Sequence, residues 1–163
     1  MFPQPWKILI NPDPKLRKHA TDFDVQKITT KEFQDFADDF AAFMVKSGGV
    51  GLAATQIGFD KRIIAIEEKD GIAVYVNPKI IKASSTLQES TEGCLSVPGV
   101  FGLVDRPKRI RVRAFNRHGR VVEFDANGFL ATVFDHEIDH LNGVLFIDKA
   151  KKTVKERKGD IAV

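Results

Sequence analysis

Over residues 128–143 the apolar side chains Phe129, Leu130, Val133, Phe134, Ile138 and Leu141 recur at the period of a helix packed on a core, and Gly143 stands where such a helix stops. The same stretch contains His136-Glu137-Ile138-Asp139-His140. Histidines at i and i+4 project from one helix face and can chelate one cation, with Glu137 beside it. A fold that buries this helix must therefore give polar side chains a partner, because unpaired polar groups are costly in a core. The plain alternative is two core or surface histidines with no joint role.

A catalytic metal site takes three protein ligands and keeps a fourth position open, so the third ligand separates the classes of enzyme that share this helix. An extended pattern with a third histidine six residues on is excluded, because Phe146 stands there and cannot ligate. Glu156 is the one acid suitably placed downstream, but Lys155, Arg157 and Lys158 around it suggest a solvated charge. Cys94 is the single cysteine of the chain, and its thiolate is a strong ligand for zinc or ferrous iron. A lone cysteine also packs well as a small hydrophobe. Gly93, Pro98 and Gly99 place it in a loop rather than a core strand, which favours the ligand reading and leaves Glu156 as the alternative.

A chain of 163 residues, 43% of them hydrophobic, suffices for one core, so the expected organisation is a single catalytic domain over 1–163 with a Lys-rich tail or short helix at 148–163. Charged residues are 29% and the net charge is +3, unlike an acidic disordered tail or a strongly basic nucleic-acid module. There is no apolar run of membrane-spanning length and no leader pattern at the N-terminus, so the protein is expected to be soluble and intracellular. One cysteine cannot form an internal disulfide, which fits a reducing compartment.

Pro3, Pro5, Pro12 and Pro14 make residues 1–20 an irregular arm. Thr29 followed by Glu32 has the form of a capping box, and Phe33, Phe36, Ala37, Phe40, Ala41 and Met44 give an amphipathic helix of about four turns that ends at Gly48-Gly49. Strands are expected at 62–66, 72–76 and 79–83. Ile110, Val112 and Ala114 alternate with Arg111 and Arg113, and a turn at 116–119 leads to 121–124, which reads as an antiparallel hairpin with one polar face. No internal repeat is present.

Three segments together resemble the peptide deformylase family: Gly49-Val50-Gly51-Leu52-Ala53-Ala54-Thr55-Gln56, Glu92-Gly93-Cys94-Leu95-Ser96 and His136-Glu137-Ile138-Asp139-His140, in that order. The likeness extends to residues 11–17, Asn77-Pro78 and residues 141–146, and so covers nearly the whole chain to Lys149. The resemblance implies an α+β fold with mixed, mostly antiparallel strands packed around the central metal-binding helix. It implies a hydrolase that removes the N-formyl group from the starting methionine of nascent polypeptides and releases formate.

By that resemblance Cys94, His136 and His140 ligate one divalent metal ion, natively Fe²⁺, with Zn²⁺, Ni²⁺ or Co²⁺ also accepted by such ligands. Glu137 handles protons, Gln56 and the Leu95 N–H support the developing oxyanion, and Arg106 pairs with Glu92 to hold the cysteine segment. Gly49 and Gly51 let the main chain approach a peptide that adds like a strand, and Val50, Leu95 and Val133 are the candidates for an apolar methionine pocket. The implied partners are N-formyl-methionyl nascent peptides and, transiently, the ribosome, with no membrane and no specific nucleic acid. The implied place is the cytoplasm, an organelle matrix or the cytoplasm of a viral host. Asp135 stands where many members have Gln and Thr55 where many have Pro, while the end after Asp148 matches least.

Two other functions stay open on the residues alone. A small peptidase could use the same helix, which formyl-peptide against free-peptide hydrolysis would separate. An RNA- or ribosome-binding module is suggested by a sequence pI near 9.0, the Arg111/Arg113 face and the cluster at 149–158, although no aromatic residues interleave with those charges.

Overall fold

The computed structural model describes Phe2 and residues 5–155. Helix α1, Lys31–Lys46, begins one residue later than the Thr29 capping box proposes: Thr30 is the N-cap, its side chain accepting from Phe33 N. Burial decides between the adjacent threonines, since this phase places Phe33, Phe36, Ala37, Phe40 and Met44 inside the protein. Gly48 follows the helix with a φ of 77°, a conformation that ends helices readily without a Cβ.

Strands β1 (Gly51–Ala53), β2 (Ile63–Glu68), β3 (Gly71–Ala83), β6 (Arg109–Asn116) and β7 (Val121–Asn127) form one antiparallel sheet in the order β1-β2-β3-β6-β7. The two runs expected at 72–76 and 79–83 are one strand, whose pairing with β6 shifts register between Val76 and Lys79 and again between Ile80 and Lys82. At the first shift Asn77 takes a φ of 52° and Pro78 offers no N–H, so the pairing slips without the strand ending. In β2 the apolar run divides by period two: Ile64 and Ile66 join the core around helix α2 (Gly128–Leu141), while Ile63 and Ala65 join the core around α1. Both faces of this strand are covered, which is why it reads as continuously apolar. In β6 the Ile110, Val112 and Ala114 side chains are buried and Arg109, Arg111 and Arg113 are exposed, the polar-faced hairpin expected from alternation.

A second sheet, in the order β4-β5-β8, consists of β4 (Leu87–Cys94), β5 (Val97–Pro107) and β8 (Lys152–Lys155). Cys94 therefore ends a strand rather than sitting in a loop, and pairs with Val97 across a tight hairpin. The polar sequence of β4 hides its strand character, because pairing with β5 carries it instead of an apolar face. After the short helix α3 (Phe146–Lys149) the chain forms β8 on β5, so the Lys-rich tail or short helix expected at 148–163 is a strand at residues 152–155. Glu156, Arg157 and Lys158 lie outside the described residues.

Helix α2 packs against β1, β2 and β7 of the first sheet and β5 of the second, and is buried from Ala131 through Leu141 except Asp135. Phe129 corrects the core assignment of its position: it is 70% exposed in the first turn, before the helix passes between the sheets. Among the described residues no helix is long and apolar enough to cross a membrane.

Candidate metal centre

The burial of α2 carries His136 and His140 to the end of β4, where Cys94 waits. One ligand atom from each of the three lies within 4.8 Å of the others, and Cys94 Sγ is 3.2 Å from His140 Nε2. His136 Nδ1 is 2.8 Å from Glu92 Oε2, so Nδ1 carries the proton donated to the carboxylate and Nε2 is the nitrogen on which a cation would replace the second proton. Burial would depress the His136 pKa, but hydrogen bonds to Cys94 and Glu92 and the charge of Glu137 raise it to about 10. His140 moves the other way, lowered by its burial and by the positive His136 and Arg106. Thiol, imidazoles and carboxylates thus favour one positive charge at their centre, and a sulfur with two nitrogens is a donor set suited to zinc or ferrous iron.

Glu92 is held from behind by Arg106, a guanidinium with no solvent exposure: Nε donates to Glu92 Oε1 at 2.7 Å and Nη2 to Oε2 at 2.9 Å. Burial alone would raise the Glu92 carboxyl, yet Arg106 and His136 together bring it down to about 2. The remaining nitrogen of Arg106 donates to Asp135 at 3.0 Å and to Asp139, whose other oxygen accepts from Lys149 Nζ at 2.8 Å. Sequence reasoning found the Arg106–Glu92 pair through the family resemblance and noted Asp135, but missed Asp139 and Lys149 as its extension. The spacing of Asp139 three residues after His136 was the available signal, since it places both on neighbouring helix faces.

Glu137 is buried, and its Oε2 has no hydrogen-bond partner among the described residues. Burial raises its pKa to about 7, with the charge of Glu92 adding to the rise and His136 and Arg106 opposing it. The strand β1 comes close enough that a Cβ on Gly51 would stand 2.5 Å from Glu137 Oε1 and 2.9 Å from Val133 Cγ1. Gln56, buried in a 3-10 turn at Ala54–Ile57, accepts from Ala53 N at 2.9 Å, and its Nε2 donates to Ser96 Oγ at 3.1 Å while lying 3.6 Å from Cys94 Sγ.

These groups line one cavity of about 480 Å³, whose wall includes Gly49, Val50, Gly51, Leu95 and Val133 together with Gln56, Glu92, Cys94, His136 and Glu137. His140 and Arg106 stand behind it. Phe129, expected in the core, also lines the cavity, as do Ser90, Phe101 and Thr132, which were not singled out because a strand serine and a threonine inside a helix carry no distinguishing pattern.

Residues 5–156 match the family described as polypeptide deformylase. The chain is 44% identical over 155 residues to a peptide deformylase of Desulforudis audaxviator, covering 94% of this chain and 97% of that one. Its fold is similar to the crystal structure of peptide deformylase from Thermotoga maritima, with a TM-score of 0.85 and 36% identity over 90% of this chain and 98% of that chain. It is also similar to a Met-Ala-Ser-bound class I type b peptide deformylase from Acinetobacter baumannii, with a TM-score of 0.84 and 32% identity over 88% of this chain and 97% of that chain. This likeness decides against both the peptidase and the RNA-module alternatives as the main function. The chain belongs to the polypeptide deformylase family, the metal-dependent hydrolases that remove the formyl group from the N-terminal methionine of new proteins.

Proposed function

We propose that Cys94, His136 and His140 hold one divalent cation, Fe²⁺ in the native protein, and that Glu137 moves the protons of formyl hydrolysis. The observation that carries this reading is the convergence of the three ligand atoms within 4.8 Å, at a cavity that also holds the buried Glu137. A divalent cation in that donor set supplies Lewis acidity, which makes water a nucleophile near neutral pH.

Glu137 Oε2, unpartnered and with its pKa raised to about 7, accepts a proton from water as the water oxygen attacks the formyl carbon. The carbonyl oxygen gathers negative charge, which in this reading the Gln56 side-chain amide and the Leu95 N–H stabilise. Losing one such donor typically costs ~10²–10³ in rate. The C–N bond then breaks, and Glu137 returns its proton to the departing amine nitrogen, since an amine leaves poorly as an anion. Formate and a free methionine N-terminus result.

Val50, Leu95 and Val133 form the apolar wall for the methionine side chain, and the main chain at Gly51 runs beside the substrate as a pairing strand. Glu92 and Arg106 keep His136 and the Cys94 hairpin in place. The same reading takes the described chain as one catalytic domain acting in the cytoplasm on nascent peptides, with transient ribosome contact through its Lys-rich end. Formate release from formyl-Met-Ala-Ser by protein purified anaerobically, with bound metal quantified, tests it. Activity with Fe²⁺, and with Zn²⁺, Ni²⁺ or Co²⁺ to differing degrees, is expected; absence of formate with all of them contradicts it.

A further inference from the structure

Thr132 lies one turn before His136 on α2, is 4% exposed and lines the cavity beside Val133. A threonine inside a helix ordinarily donates its hydroxyl proton to the carbonyl four residues back, here that of Gly128. Gln88 Nε2 already donates to that carbonyl at 2.7 Å, and the same nitrogen donates to Thr132 Oγ1 at 3.1 Å. The Gly128 oxygen can only accept, so the amide must present its nitrogen rather than its oxygen there, and both amide protons are used. Thr132 is thereby an acceptor towards Gln88, and its own proton has no acceptor among the described residues. On β4 the alternation that turns Gln88 and Glu92 inwards also turns Ser90 inwards, and Ser90 lines the same cavity. Away from the metal ligands the wall carries the apolar side chains of Val50, Leu95, Val133 and Phe129, so the hydroxyls of Thr132 and Ser90 are polar points beside a hydrophobic surface.

We propose that Thr132 is a specificity-determining residue, whose hydroxyl donates a hydrogen bond to the thioether sulfur of the substrate methionine; this rests on the deformylase reading and deepens it. An apolar pocket distinguishes poorly between methionine and norleucine, which have nearly the same shape with a methylene in place of sulfur. A thioether is a weak acceptor, and a methylene is none. With norleucine bound, the Thr132 proton is left without a partner in a dry wall, which disfavours that side chain. Gln88 then acts as the residue that turns the hydroxyl towards the substrate.

The test compares kcat/KM for formyl-Met-Ala-Ser and formyl-norleucyl-Ala-Ser, read as formate release by the metal-loaded protein. The wild type should favour methionine by roughly 2- to 10-fold, the range of one modest hydrogen bond. Thr132→Val, close in volume but without a hydroxyl, should bring the ratio to about one, and Thr132→Ser, which keeps the hydroxyl and loses the methyl, should retain the wild-type preference. A ratio near one in the wild type, a ratio unmoved by Thr132→Val, or a ratio lost equally in Thr132→Ser overturns the assignment, while formate release from either substrate leaves the deformylase reading standing. No formate from either substrate overturns that reading and this one with it.

Discussion

His136 Nδ1 and Glu92 Oε2 stand 2.8 Å apart, and the carboxylate that makes this contact is held on its other side by two nitrogens of Arg106. The side chain of His136 is thus oriented by a carboxylate that is itself oriented by Arg106, a residue outside the cavity wall. Such outer contacts fix tautomer and ring angle, and their loss is felt at the site although they touch no substrate.

Arg106, itself without solvent exposure, pairs with three carboxylates, Glu92, Asp135 and Asp139, with His136 and Lys149 as further partners of Glu92 and Asp139. Arg106→Met keeps much of the volume and removes the cation these buried acids share, leaving only His136 on Glu92 and Lys149 on Asp139, so the protein should lose about 3–5 kcal/mol of stability. Urea unfolding measures this directly. A loss under about 1 kcal/mol would mean that the acids relax towards water instead.

Gly51 leaves no room for a side chain, since a Cβ would meet Glu137 Oε1 at 2.5 Å and Val133 Cγ1 at 2.9 Å. Gly51→Ala must displace either β1 or the Glu137 carboxylate, and a displacement near 1 Å at a reacting group costs on the order of 10²-fold in rate. Metal content should be retained, because none of the three ligands is touched. Near-normal formate release would show that Glu137 tolerates the shift and is not precisely positioned.

Selectivity for methionine follows from the apolar wall at Val50, Leu95 and Val133. Replacing methionine by alanine in a formyl-peptide removes several buried carbons, each CH₂ worth ~0.8 kcal/mol, so efficiency should fall at least ~10-fold. Val133→Asp should produce a comparable loss on the formyl-Met substrate by placing an unpaired carboxylate in that wall. Equal cleavage of formyl-Ala and formyl-Met peptides would remove the pocket assignment.

Asp148 ties the N-terminal arm to α3, with Arg17 Nη2 donating to its Oδ1 at 3.1 Å and Leu145 N to its Oδ2 at 2.9 Å. Burial would raise this carboxyl, but the Arg17 hydrogen bond, the Leu145 amide and the Arg17 charge hold it below the ordinary 3.8. A depressed pKa stabilises the folded state above the unfolded value and ceases to do so as pH falls through the folded value. Asp148→Asn should therefore lower stability at neutral pH by about 0.5–1 kcal/mol after solvent screening. The melting curves of variant and wild type should converge in strong acid; a constant gap at every pH would assign the effect to packing.

The parts of this molecule that were legible in its sequence are those whose signal is local. The period of α2 and the His136/His140 spacing lie in one segment, and Ile110, Val112 and Ala114 alternate within one strand. The α1 phase was legible but its cap was not, because Thr29 and Thr30 are equivalent until Phe33 is known to be buried. Strand β4 was not expected, since Gln88, Glu89, Ser90, Thr91 and Glu92 show no apolar alternation, and only pairing with β5 makes them a strand. Phe129 read as core because sequence gives the period of a helix but not where the cavity opens along it. The contacts of Arg106 with Asp139 and of Asp139 with Lys149 join β5, α2 and α3, and no local pattern announces a contact between three elements.

The central claim, that a Cys94/His136/His140 centre works with Glu137 as its proton carrier, is tested most directly by Glu137→Gln, with bound metal and formate release from formyl-Met-Ala-Ser measured on the same preparation. Glutamine keeps the shape of the side chain and removes its ability to take up a proton, and Glu137 is outside the convergent ligand set. The variant should hold metal at the wild-type stoichiometry and lose turnover by at least ~10²-fold, the usual contribution of a positioned acid–base group. Near-wild-type turnover with metal in place would contradict the account.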